Sequence, residues 1–123
     1  MRYTESDIRA AVEAWRVRLG FIDWTFRVTV GRIKGGHRAT TTADFEYLTA
    51  DLSFDPAAMD KAGDDLHEMV RHEIAHVPNW ELAYLAERYA GKDAEKQDRV
   101  EKALERATTL TERMAHRLTG DTP

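Results

Sequence analysis

The segment from Val70 to Val77 reads VRHEIAHV: two histidines four residues apart, with a glutamate directly after the first. On an α-helix, residues four apart lie about 40° apart around the axis, so His72 and His76 project along nearly one line, one turn apart. Two imidazoles so placed can hold one metal ion. Glu73 is rotated by about 100° from His72 and cannot readily join as a ligand, but it can reach a water on the ion. Two zinc ligands and a general base are the physical content of this HExxH spacing. At the histidine and glutamate frequencies of this chain, the pattern arises by chance in about one chain in fifty. Three features of context lower that chance. The segment has a helical apolar period, its flanks are apolar, and an alternating strand precedes it at short range.

Catalytic zinc takes three protein ligands and a water, and the motif supplies two. An extended HExxHxxGxxH run is closed here, because Asn79 stands at the glycine position and Leu82 at the last histidine position. There is no cysteine, so no thiolate can serve. Gluzincin-like families, which the motif resembles, take a glutamate from a following helix, and Glu81, Glu87, Glu101, Glu105 and Glu112 are available here. Glu81 and Glu87 would need a sharp reversal after Pro78. On the last helix Glu101 lies nearest the border of the apolar face, which places it first, with Glu105 and Glu112 as alternatives pointing further from that face. Each of these glutamates can equally be a solvated charge beside a Lys or Arg. His116 can line the cleft or donate to a developing oxyanion, although a histidine near a helix C-terminus more often serves the dipole. His67 and Glu68 read as solvated, and His37, beside Gly35 and Gly36, reads as part of an exposed turn. Tyr84 and Tyr89 read as packing residues, and Trp15, Trp24 and Trp80 as core anchors.

These residues need elements to position them. Ile8, Val12, Trp15 and Leu19 fall at helical spacing, with Thr4 or Ser6 as cap and Gly20 as stop. Trp24, Phe26, Val28 and Val30 alternate with polar residues and predict a half-buried strand. After the KGG turn at 34–36, the threonine-rich stretch His37 to Ala43 predicts a weaker, edge-type strand. Leu48, Ala50, Leu52 and Phe54 predict a third strand. Beyond Pro56 the period becomes helical, with a stripe of Leu66, Val70, Ile74 and Val77 closed by Pro78. A second helix, with Asn79 as a possible cap, runs to Gly91. A third, long helix carries Val100, Leu104, Ala107, Leu110, Met114 and Leu118 on its apolar face. The expectation is one α+β domain over residues 1–123: an N-terminal helix, a three-stranded antiparallel sheet, the HExxH helix and C-terminal helices.

Composition bounds the function. The chain has 123 residues, 42% hydrophobic and 33% charged, the balance of an ordinary globular domain. A net charge of -4 offers no basic footprint, so no nucleic-acid partner is indicated. No run is long enough to span a bilayer and the first residues are too polar for a signal peptide, so no membrane partner is indicated and a cytoplasmic location is the default.

The HEIAH motif on a helix after a small sheet, with one helix before and another last, resembles the minimal zincin metallopeptidases. It is most similar to small phage and prophage proteins of that kind, and less closely to the SprT-type and ImmA/IrrE-type families. The stretch LGFIDWTFRVTV resembles the segment that enters the first strand in those small proteins. The resemblance implies His72 and His76 as zinc ligands, Glu73 as catalytic base, peptide-bond hydrolysis, and a peptide or protein substrate strand along the sheet edge. The distance of Glu101 from the motif also resembles that in the ImmA/IrrE type. The expected function is therefore a zinc metallopeptidase. The alternatives are a non-catalytic metal-binding or regulatory protein on the same fold, and a metal-dependent hydrolase of a non-peptide amide.

Overall fold

The computed structural model describes residues 3–123, with the side chain of Glu81 outside the described set. Helix α1 spans Glu5–Arg18. Thr4 caps it reciprocally: the Asp7 amide donates to Thr4 Oγ1 (3.1 Å) and the Thr4 amide to Asp7 Oδ2 (3.0 Å), which satisfies donors that a helix start leaves free. Three strands follow, β1 at Thr25–Val30, β2 at Ala39–Asp44 and β3 at Thr49–Phe54. Next come α2 at Pro56–Ala62, α3 at Leu66–Ala90 and α4 at Ala94–Thr119.

The architecture is α+β, but the sheet is mixed rather than antiparallel. Its order is β1-β3-β2, with β1 parallel and β2 antiparallel to β3. The connections explain this. A short turn at residues 45–48 joins β2 to β3 as a hairpin, whereas the longer segment at residues 31–38 carries the chain past the position that β3 then fills. The most apolar face takes the centre: Ala50, Leu52 and Phe54 of β3 are buried, and threonine-rich β2 takes the edge. Leu48 falls in the turn, with φ +53, rather than on the inner face of β3.

Helices α1 and α3 cover the inner face of the sheet, α1 along β1 and α3 along β2, and α4 packs on α3. Ile8, Val12, Trp15, Leu52, Phe54, Met59, Val70, Ile74 and Val77 form the centre of the core. Each such side chain contributes about 1.5–3 kcal/mol by leaving water. Proline does not divide α3 as expected. Pro78 lies inside one 25-residue helix, which runs on to Gly91. The Ile74 carbonyl loses its intrahelical donor there, while α4 meets the helix on both sides of the interruption, Thr108 at His76 and Thr111 at Asn79. The packed face of α4 also differs from expectation. Ala107, Thr108, Thr111 and Ala115 are at least half-buried, and Leu110, Met114 and Leu118 are exposed. The rotation lets α4 meet polar groups of α3: Thr108 pairs with His76, Thr111 with Asn79 and Glu112 with Arg71.

Candidate metal centre

Burial of Val70, Ile74 and Val77 fixes the rotation of α3 about its axis. Asp65 fixes its start, accepting from the Glu68 amide at 2.9 Å. With that face inward, His72 and His76 come to the border between core and solvent, and Glu73 turns toward β2. The two imidazole centroids lie 5.0 Å apart with ring planes at 87°. One donor atom from each of His72, Glu73 and His76 falls within 4.8 Å of the others.

The surroundings give each group a distinct role. His76 Nδ1 meets Thr108 Oγ1 at 3.2 Å, which leaves Nε2 as the nitrogen available to an ion. Burial pushes the His76 pKa below the usual 6.5; Glu73 opposes this, His72 adds to it and Glu105 opposes it. The neutral imidazole favoured by that balance is the form that binds metal. His72 Nε2 lies 3.3 Å from Glu105 Oε1 on α4. Two ligands at about 2.0–2.1 Å from a tetrahedral zinc would stand about 3.3 Å apart, a spacing that this ion pair matches, while Glu105 stands outside the compact His72, Glu73 and His76 cluster. The Glu73 carboxylate is held on the other side: Thr41 Oγ1 lies 2.8 Å from its Oε1 and 3.1 Å from the Glu73 carbonyl oxygen.

Among the described residues, Glu105 is the candidate glutamate that stands beside His72. Glu101 lies elsewhere, around a separate hollow with Glu87, Gln97 and Val100 near the α3–α4 turn. Glu112 is paired with Arg71 at 3.2 Å, in a contact that leaves the two side chains 13% and 5% exposed. Arg71 also stacks 5.0 Å over the Trp15 ring, so Glu112 serves as its counter-ion. The Glu81 side chain lies outside the described residues. His116 pairs with Asp121 beside the C-terminal end of α4. His67 is not a free solvated side chain: its Nδ1 accepts from the Trp15 indole at 2.9 Å. Trp15 is a core anchor, while Trp24 packs edge-on among Phe21, Phe26 and Phe45. Tyr84 and Tyr89 are exposed rather than packed.

His72 and Glu73 open onto a cleft of about 700 Å³ whose walls include His37 and Arg38 before β2, Ala39 at its start, Asp64 and Glu68 before the motif, and Glu105 and Arg113 on α4. His37 and Glu68 thus belong to the cleft wall. Thr41 and Thr108 were not foreseen from sequence. The only available signal for Thr41 was its phase with Ala39 and Ala43 on one face of β2; for Thr108 there was none, because its partner is 32 residues away. Comparison with protein-family models, curated proteins and solved structures finds no match to this chain.

Proposed function

We propose that the protein is a zinc-dependent hydrolase of peptide bonds, built on a minimal zincin-like arrangement. The observation that carries this reading is the approach of Glu105 to His72 at 3.3 Å, one helical turn from His76. Two imidazoles and a carboxylate, drawn from α3 and α4, are a donor set suited to catalytic zinc with a position left for water. His72, His76 and Glu105 would hold the ion. Bound there, zinc would supply Lewis acidity, lowering the pKa of a water and polarising a carbonyl.

The chain's own groups account for the rest. Glu73 sits beside the donors but is tethered toward β2, so one oxygen is free to accept a proton from the attacking water. It can return that proton to the leaving amine. The β2 edge favours a peptide substrate. It has β3 on one side only, and the residues at its start line the cleft. An extended chain can add to such an edge through backbone hydrogen bonds. Elemental analysis tests the metal: the wild type should carry about one zinc per chain, and His72→Ala with His76→Ala should carry none. Equal zinc in both proteins removes the reading.

A further inference from the structure

We propose that Thr41 is a positioning residue for the general base: its hydroxyl anchors one oxygen of Glu73 and leaves the other free for proton transfer. This rests on the hydrolase reading above. The inner-facing residues of β2 are Ala39, Thr41 and Ala43, all small, so α3 approaches the strand closely. At that approach Thr41 Oγ1 stands 2.8 Å from Glu73 Oε1, with Thr41 8% and Glu73 5% exposed. No other hydrogen bond to this carboxylate occurs among the described residues.

A hydroxyl has one proton to give. The Glu73 carbonyl, at 3.1 Å, is an acceptor within a helix, whereas the carboxylate is nearer and charged, and a charge-assisted bond is the stronger one. Donation to Oε1 pins the carboxylate from the sheet side and keeps it from swinging onto the histidines. A valine at this position would suit a strand and bury more apolar surface, but it would leave a buried carboxylate without its partner. The hydroxyl is therefore explained by Glu73 and not by packing.

The test uses Thr41→Val and Thr41→Ser in the full zinc-loaded chain. Zinc content, kcat and KM are measured on a peptide that the parent cleaves. A thermal-unfolding cycle of Thr41→Val with Glu73→Ala is run on metal-free protein. Thr41→Val should keep its zinc and its KM while kcat falls about 10²-fold, the size of effect that misplacing a reacting group by about 1 Å produces. Thr41→Ser should restore most of that loss, and the two unfolding effects should be non-additive. An unchanged kcat in Thr41→Val, no rescue by Ser, or additive unfolding effects overturns the role of Thr41 while the hydrolase reading stands. A parent that cleaves no peptide, with non-additive unfolding, overturns the hydrolase reading and the positioning role together.

Discussion

Replacing Glu105 with Ala asks which glutamate completes the donor set. Its carboxylate stands 3.3 Å from His72 Nε2 and its side chain is 61% exposed, so truncation removes little packing and leaves the fold in place. In the proposed site it removes one of three protein donors. Loss of a group that merely orients a metal ligand costs about 10–100-fold in affinity. Loss of a donor must exceed that, so we expect zinc affinity to fall by at least about 100-fold, or about 2.7 kcal/mol. Thr108→Val supplies the intermediate case: it deletes the contact to His76 Nδ1 at 3.2 Å and belongs within the range of about 10–100-fold. Glu101→Ala, at the separate hollow, should leave affinity unchanged. Competition titration against a chromophoric chelator, at fixed pH and salt, gives all three values. Zinc weakened as much by Glu101→Ala as by Glu105→Ala, or parent-like binding by Glu105→Ala, would refute Glu105 as the third donor.

Glu112→Ala strips a buried Arg71 of its counter-ion and should cost about 3–5 kcal/mol in urea unfolding without changing zinc stoichiometry; loss of zinc with intact stability would make Glu112 a ligand instead. Pro78→Ala restores a donor to the Ile74 carbonyl at an exposed position. An interior proline costs about 3 kcal/mol and its rigidity in the unfolded chain returns up to about 1 kcal/mol, so a net gain of about 2 kcal/mol is expected; a lower melting temperature would show that the break is needed. Between the ordinary histidine value of 6.5 and the lowered value of His76, the unfolded chain binds a proton that the folded chain does not. That contribution to stability is present above 6.5 and lost as pH falls through the lowered value. Metal-free protein should therefore weaken on acidification through this window, and His76→Gln should flatten that part of the stability curve.

What was legible in the sequence was local. HEIAH announces its geometry because helical phase alone sets the positions of His72, Glu73 and His76. The alternation of Phe26, Val28 and Val30, and of Ala50, Leu52 and Phe54, marks strands whatever their partners. Strand order was not legible, because it depends on which strand fills the space between two others, a contest decided by burial across the whole sheet. Pro78 was misread for a similar reason: its local cost is real, but packing of α4 along both halves of α3 outweighs it. The apolar spacing of Leu110, Met114 and Leu118 pointed to the wrong face of α4, because polar demands from Arg71, His76 and Asn79 set its rotation. Those same demands bring Glu105 rather than Glu101 to His72. Thr41 and Thr108 act through partners 32 residues distant, and no periodicity encodes such pairs.

Zinc-loaded wild type and Glu73→Gln, incubated with a peptide library and their products read by mass spectrometry, decide whether Glu73 is the base of a working peptidase. Glutamine keeps the size of the side chain and cannot take a proton, and general-base catalysis is worth about 10²–10⁴-fold. Both proteins should hold one zinc, the wild type should cleave, and Glu73→Gln should cleave at least about 100-fold more slowly. Equal cleavage by the two contradicts the role given to Glu73, and zinc held by both with cleavage by neither contradicts the enzyme.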